Sequence, residues 1–381
     1  MENPSIKVLD RNLKLLDEID VYTSLDFVRS WQGIGSFNLV VCGHEKNFQN
    51  GNIIMLGKNG HKCGIIRTVN PVDDEKGTGI TVSGQTLNGF TFQRIVKPYA
   101  DEDYFAVPRP NDIPTVISAE YILKQYVSYN LGENAESSRQ LPNFIIVQNQ
   151  NRGFETNWYS RYSMLNEDLQ SICEYCDCGY EIYVDLQTRK FIFEYLAGVD
   201  RSVDQNTNSR VILSKEFESV KNISYTHDVS NYKNLAYCGG YGEGALRSVP
   251  EVTPKDWQDS DNPPSGFDRF ETFFDCGDLL STETETAISL KQEGQHRLEE
   301  YKEIKSLTAE ISQAGSFLYG KQWDLGDLVT VANRKFNLTQ NLRVTEVKES
   351  YEPKEFRLSV TLGALPKRLG NVLKSLKSPV K

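Results

Sequence analysis

Residues 51–56 have the sequence Gly51-Asn52-Ile53-Ile54-Met55-Leu56, and their pattern returns as Gly326-Asp327-Leu328-Val329-Thr330-Val331. Two further alternating runs follow each stretch, at 65–69 and 80–84 and again at 342–347 and 358–363. Arg67 and Arg343 lie 16 and 17 residues after the leading glycines. Short β-branched runs bounded by Gly, Asn and Asp predict the strands of a small antiparallel barrel. We expect two similar barrels in one chain; two unrelated meanders would also give this pattern.

The bulk composition indicates a globular protein of more than one domain. The chain has 381 residues, which exceeds the usual size of a single core. Its residues are 39% hydrophobic and 25% charged, as in an ordinary globular protein. It has no apolar run near the roughly 18 residues that a membrane helix needs. Its N-terminus does not resemble a secretory signal. We therefore expect a protein made in a cytoplasm and not inserted into a membrane.

Charge and cysteine usage narrow the classes of partner. The net charge of −10 argues against a surface that grips nucleic acid, because such binding depends on clustered Lys and Arg. The wall of a conduit through which DNA passes without binding would carry a negative charge. The seven cysteines are an odd number and lie mostly within predicted elements, as Cys42, Cys63 and Cys238 do. We interpret them as small buried apolar residues.

The predicted fold class is mainly β with an α+β insertion, in four parts. Residues 1–98 together with 206–250 form the first barrel. Residues 99–205 form the inserted α+β domain, which begins with a proline-containing linker at 99–115 and has helices beginning near Ser118 and Ser163. Residues 251–366 contain a helix from about 283 to 301 and the second barrel, and residues 367–381 form a basic tail.

Candidate chemical sites in the sequence all have a simpler explanation. Cys173 and Cys176 have the spacing of a zinc-binding pair, but they also fall on the inner stripe of a predicted helix, and we prefer core packing. The run 239–244 is rich in glycine but precedes no helix, which favours a bulged or tightly turning strand over a phosphate loop. Asp256, Asp259 and Asp261 lack the spacing of an EF-hand and indicate a solvated acidic loop.

No catalytic residue is predicted. The chain has four histidines and none of the common nucleophile, zinc-protease or P-loop motifs. His227 and Asp228 are sequence neighbours on a predicted strand, so they point to opposite faces. His296 is flanked by Glu293, Glu299 and Glu300, which indicates a solvated helix face. We expect no enzyme activity, no cofactor and no metal.

The C-terminal tail is the one segment for which we predict a contact function. Four apolar side chains fall at i, i+3, i+4 and i+7 with lysines opposite: Leu369, Val372, Leu373 and Leu376. Such a basic amphipathic helix must bury its apolar stripe against a surface. That surface belongs either to this chain's own second barrel or to a neighbouring subunit or tail protein.

Several segments, taken in order, resemble the siphovirus tail-hub proteins, which are relatives of the baseplate hub of contractile-tailed phages. The resemblance covers about residues 6–365, and the segments that carry it are Trp31, Gly35–Phe37, Gly51–Ile54, Arg161–Tyr180, Ser230–Asn234 and Trp323–Val329. It implies a homotrimer at the distal end of a tail tube. In such a trimer, two barrels per chain form a pseudo-sixfold ring that adapts the hexameric tube to a threefold tip or spike.

The resulting expectation is a structural protein of a phage or prophage tail tip, located in the virion and lining a conduit through which DNA passes without specific binding. Its partners would be tail-tube and distal tail proteins. Three alternatives stay open: a tail-associated cell-wall hydrolase, a glycan-binding tail protein, and the hub of a phage-tail-like injection machine.

Overall fold

The computed structural model describes residues 3–43, 46–74, 77–109, 112, 114–257, 262–277, 283–312 and 315–364. The fold is mainly β, as predicted. None of the helices in these ranges is both long and apolar enough to cross a membrane.

The described elements comprise strands, three α-helices and a few short 3-10 turns. The helices are α1 (Ala119–Asn130), α2 (Leu165–Cys176) and α3 (Glu283–Glu299). The strands are β1 (Ile6–Leu9), β2 (Leu15–Ile19), β3 (Ser24–Ser30), β4 (Ser36–Cys42), β5 (Ile53–Leu56), β6 (Cys63–Asp74), β7 (Gly77–Thr86), β8 (Phe105–Val107), β9 (Ile117–Ser118), β10 (Phe144–Ile146), β11 (Glu155–Thr156), β12 (Trp158–Ser160), β13 (Gly179–Asp185), β14 (Lys190–Leu196), β15 (Ile212–Ser214), β16 (Val220–Asp228), β17 (Leu235–Gly239), β18 (Glu251–Val252), β19 (Glu271–Asp275), β20 (Ile304–Ile311), β21 (Leu328–Asn333), β22 (Leu338–Glu352) and β23 (Glu355–Gly363).

Two six-strand modules with the same connectivity make up most of the large sheet. The first has the spatial order β1-β5-β6-β7-β4-β3, and the second has the order β15-β21-β22-β23-β20-β16. The strands also follow one another along the chain in the same sequence in both modules. One difference is that β1 runs antiparallel to β5, whereas β15 runs parallel to β21. The repeat seen in the sequence is therefore half of a longer structural repeat.

A shared hydrogen-bond pattern fixes the equivalence of the two modules. The amide of Gly51 donates to the carbonyl of Ile66 (2.8 Å), and that of Gly326 donates to the carbonyl of Val344 (2.8 Å). Both glycines have a positive φ, +90° and +87°. The register slips directly afterwards in each case, at Arg67 and at Thr345. Arg67 therefore matches Thr345, and our alignment of Arg67 with Arg343 was wrong because the second turn is longer.

The two modules join edge to edge in one continuous sheet. Strand β22 pairs with β23 on one side and with β3 of the first module on the other, from Glu346↔Ser30 to Tyr351↔Leu25. Strands β1 and β2 form a hairpin that extends the sheet beyond the first module. Closure of each module into a barrel of its own stays a prediction.

The inserted α+β region packs two helices against a small sheet. Strand β14 lies between antiparallel β13 and parallel β10, and both α1 and α2 contribute side chains to the core that surrounds this sheet. Ser118 caps α1 as predicted, since its hydroxyl accepts the amide hydrogen of Tyr121. Helix α2 ends at Cys176, and the C-cap residue that follows, Asp177, adopts the left-handed conformation. Residues Leu87–Gln93 form a 3-10 helix.

The chain separates into two compact units, the larger comprising residues 1–224 with 307–365 and the smaller including residues 225–306. In the smaller unit, β17 lies between β18 and β19, and α3 packs on one face of this sheet. Residues 206–250, which were predicted to lie in the first barrel, do not lie there: β15 and β16 belong to the second module, and β17 pairs within the smaller unit. Strand pairings between distant segments cannot be inferred from local pattern. The other predicted domain bounds stay predictions.

Candidate functional site

A row of polar side chains crosses both modules on one face of the large sheet. The cross-strand partners, taken from one edge to the other, are Thr68, Ser83, Asn38, Asp26, Ser350 and Arg357. The Ser350 hydroxyl donates to the Asp26 carboxylate (2.6 Å), and Lys348 lies 2.9 Å from the same carboxylate. These two contacts cross the seam between the modules. We call this surface the polar face.

The adjacent row points to the opposite side and is apolar. Its members are Val69, Val82, Leu39, Leu25, Tyr351 and Phe356, and they form part of one buried cluster. Strand alternation thus gives both modules the same inner and outer sides. One sheet therefore presents a continuous polar surface over a continuous core.

Behind the seam, Trp31 fills a space made by two glycines. A Cβ on Gly326 would lie 2.0 Å from the Trp31 ring, and a Cβ on Gly179 would lie 2.6 Å from it. Arg343 lies over the ring, 5.9 Å from it, and its Nε donates to the Asp177 carboxylate (2.8 Å). This contact joins the first module, the second module and the α+β insertion at one residue.

A partly buried ionic cluster holds the same three parts together. Arg29 of β3 donates to Glu181 of β13 (3.1 Å), to Tyr319 (3.1 Å) and to Asp324 (3.2 Å). Burial alone would lower the pKa of Arg29, but Glu181, Tyr319 and Asp324 raise it above its ordinary value. Burial alone would likewise raise the pKa of Glu181, but Arg29 and His61 hold it below its ordinary value. Each charge therefore has a compensating partner.

His61 gives this cluster a dependence on pH. Its Nδ1 lies 2.8 Å from Glu181, and this hydrogen bond raises the pKa of His61 above 6.5. A raised pKa in the folded state stabilises the fold below the unfolded pKa, and the contribution is lost as pH rises through the folded value. We expect His61→Ala to lower the free energy of unfolding more at about pH 5.5 than at about pH 9, by roughly 0.5 kcal/mol after solvent screening. Urea unfolding at both pH values tests this, and an equal loss would contradict it.

A second ion pair, between Lys62 and Glu349, lies inside the apolar layer. Glu349 is 2% exposed and stands between Leu358 and Phe27 in the strand register. Lys62 approaches its carboxylate to 2.7 Å, and the Tyr351 hydroxyl donates to it (2.5 Å). A buried carboxylate is tolerated only with such partners. The pair therefore ties the first module's turn to β22.

The structure explains most of the chemical motifs in the sequence by packing. Cys173, Cys176 and Cys178 are all buried in the core around α2, as predicted. The described residues contain no cluster of three or more side chains positioned to hold a metal. Strand β17 ends at Gly239, and the segment after it forms a three-residue 3-10 turn, Gly244–Leu246.

Two assignments were wrong and several cannot be placed. Cys42 is exposed. His296 is half-buried and does not lie on a solvated helix face, and this burial lowers its pKa to about 4. Asp259, Asp261 and the tail residues Leu369, Val372, Leu373 and Leu376 lie outside the described residues.

A scan against protein-family models matches residues 5–364 to the Siphovirus ReqiPepy6 Gp37-like protein family. The chain belongs to this family of siphovirus tail proteins. The predicted resemblance to siphovirus tail proteins is thereby confirmed. None of the curated protein sequences matches this tail protein.

Solved structures with a similar fold include two prophage tail proteins. The 43 kDa tail protein of prophage MuSo2 from Shewanella oneidensis is 13% identical with a TM-score of 0.55, over 95% of this chain and 97% of the other. Prophage tail protein gp18 from Listeria monocytogenes is 10% identical with a TM-score of 0.53, over 98% of both chains. A chain of the Francisella PdpA-VgrG complex is 11% identical with a TM-score of 0.51, over 95% of this chain and 53% of the other. These likenesses concern the fold.

The residues that join the modules were not identified from sequence. Arg29, Lys62, Glu181 and Asp324 lie far apart in the chain and show no local motif. Glu349 could have been identified from sequence, because it occupies an inward position between Val347 and Tyr351 in an alternating strand. A charge at an inward position predicts a buried partner.

Proposed function

We propose that this tail protein is a structural hub of the tail tip, which acts as a homotrimer and adapts the hexameric tail tube to a threefold tip. The observation that carries the proposal is the six-strand module, present twice with one connectivity and one hydrogen-bond pattern. Three copies of a chain with two equivalent modules supply six similar units around an axis. A symmetry adaptor needs this arrangement.

The unpaired strand edges favour such a ring. Within the chain, β22 of the second module pairs with β3 of the first. In a contact between copies, β6 would take the place of β22, because both hold the third position in their modules. Strand β16 would take the place of β3, because both hold the sixth position. Among the described strands, β6 beyond residue 66 pairs only with β7, and β16 ends the sheet order. An antiparallel pairing of β6 with β16 of the next copy would repeat the internal seam, with one bond fewer at Pro71.

The polar face is suited to the wall of a DNA conduit. Its row through the first module consists of uncharged residues up to Asp26. Around the seam and on β23 the same face carries four carboxylates, those of Asp26, Glu346, Glu352 and Glu355, against the two cations of Lys348 and Arg357. A weakly acidic wall without clustered cations repels phosphates and does not retain DNA. We propose that this face lines the conduit in both modules and that each module closes into a tube-like barrel.

The proposed partners are the tail-tube and distal tail proteins on one side of the ring and a tip or spike protein on the other. The fold neighbour from Francisella was solved in a PdpA-VgrG complex, which makes an assembled partner reasonable for this fold. It also favours a second candidate role, as the hub of a phage-tail-like injection machine. In both roles the chain is structural, and its place is the distal tail.

Light scattering of purified protein tests the trimer. The proposal predicts a species of three times the chain mass of 43.3 kDa at high protein concentration. A chain that stays dimeric, or forms open-ended aggregates, would contradict a closed threefold ring.

A photo-cross-linker at Val72 tests the contact itself. Val72 lies on β6 and is 44% exposed. Val72→p-benzoylphenylalanine should give cross-links between copies that map to residues 220–228. Phe336→p-benzoylphenylalanine is the matched control, because Phe336 is also exposed (55%) but lies on the 3-10 turn after β21. Cross-links from position 72 that map elsewhere would exclude the proposed strand pairing.

A further inference from the structure

The smaller unit is strongly acidic compared with the rest of the chain. Residues 225–306 contain sixteen acidic and eight basic residues, a net charge of −8 out of the chain's total of −10. Residues 366–381 contain five basic residues and no acidic one. Opposite charges of this density attract at short range and are screened by salt.

In the part of the chain that the structure describes, one face of the smaller unit's sheet is exposed. Helix α3 packs on the face that carries Ala236, Cys238, Val252 and Phe274. Strand alternation turns Tyr237, Phe273, Glu251, Glu271 and Asp275 to the other face, where Tyr237 lies directly between Glu251 and Phe273. We call this second surface the acidic face.

The acidic face combines apolar area with accessible carboxylates. Phe273 is 54% exposed, and the side chains of Glu251, Glu271 and Asp275 are 44%, 47% and 59% exposed. Arg269 lies 5.9 Å from the Tyr237 ring and Arg247 lies 5.8 Å from the Phe273 ring. These two arginines pair with the three carboxylates and leave an acidic excess.

The turns next to this sheet expose further apolar side chains. Leu246 is 93% exposed and Phe267 is fully exposed, each on a three-residue 3-10 turn. Tyr241, in the loop that leads from β17 to Leu246, is 70% exposed. Exposed apolar groups beside an acidic rim are typical of a binding surface for a basic amphipathic segment.

We propose that the C-terminal segment, residues 367–381, docks on the acidic face of the smaller unit. The stripe of Leu369, Val372, Leu373 and Leu376 covers Tyr237 and Phe273, and the lysines pair with the surrounding carboxylates. The C-terminal segment and the acidic face are complementary in two ways. The apolar stripe of the segment fits the aromatic side chains of the face, and the segment's charge of +5 is opposite to the acidic excess of the face. This inference is independent of the hub function.

Zero-length carbodiimide coupling of the full chain, followed by mass spectrometry, tests the docking. This reagent joins a lysine amine to a carboxylate that touches it. We expect amide links from Lys374 or Lys377 to Glu251, Glu271 or Asp275. Chains of two isotopic compositions, when mixed, show whether the segment comes from the same chain or from another copy; the proposal holds for both.

Two pairs of variants make the test specific. Leu373→Glu should reduce the links about tenfold, because it removes an apolar contact and adds a repulsive charge. Ser375→Glu adds the same charge off the stripe and should keep most of them. Phe273→Ser should reduce the links, whereas Phe336→Ser, at an equally exposed phenylalanine of the larger unit, should not. The proposal is overturned by an absence of these links, or by links that persist unchanged in both Leu373→Glu and Phe273→Ser.

Discussion

Lys62→Met is expected to lower the free energy of unfolding of the larger unit by about 3–5 kcal/mol. The substitution removes the cation that lies 2.7 Å from Glu349 and leaves a carboxylate that is 2% exposed without its counter-charge. Removing one member of a buried pair costs more than the pair itself contributes. Urea unfolding followed by tryptophan fluorescence measures the change, because Trp31, Trp158 and Trp323 all lie in this unit.

The double variant Lys62→Met with Glu349→Leu serves as the internal check. It should recover most of the lost stability, since an apolar pair of similar size replaces the ions. Lys348→Met is the matched control: Lys348 pairs with Asp26 on the polar face, where both side chains are more than 40% exposed. This exposed pair should contribute at most about 1 kcal/mol. If Lys62→Met and Lys348→Met lowered the free energy of unfolding equally, Lys62 would not compensate a buried charge on Glu349.

Gly326→Ala should be strongly destabilising, with an expected loss of about 2–5 kcal/mol in the free energy of unfolding. Two costs add at this position. The residue has a φ of +87°, which side chains disfavour, and the new Cβ would lie 2.0 Å from the ring of Trp31, which is buried. Because Trp31 packs at the meeting point of three parts of the larger unit, the ring cannot move without disturbing all of them. The same unfolding measurement applies.

Gly57→Ala separates the two costs. Gly57, in the turn after β5, also has a positive φ, +59°, but no atom lies within 4 Å of the position that an added Cβ would take. The variant should lose only the roughly 1 kcal/mol of backbone strain. If Gly326→Ala were no worse than Gly57→Ala, the packing of Trp31 against Gly326 would not contribute to stability.

Local sequence patterns predicted the elements of this fold well. The β-branched runs after Gly51 and Gly326 are strands β5 and β21, and each leads into two longer antiparallel strands. Ser118 marks the start of α1, and the helix predicted to begin near Ser163 is α2, which begins at Leu165. These features depend on alternation, capping and turn residues, which act over a few positions.

Non-local pairing was beyond the reach of these patterns. Nothing in β15 or β16 shows that they pair with strands more than seventy residues later, and the 225–306 insertion hides the second module's continuity. The equivalence of Arg67 and Thr345 also became visible only through backbone hydrogen bonds, because the turn lengths differ. Residues that join separate parts, such as Arg29 and Glu181, are identified only once the strands are in place.

Electron cryomicroscopy of tail tips assembled with this protein tests the central claim most directly. The account predicts three chains around the tail axis and six similar modules in one ring, with the polar face of both modules turned to the pore. In such a map Asn38 and Ser350 would lie at the lumen. A ring in which only one module of each chain reaches the pore, or in which this face packs against another protein, would contradict the account.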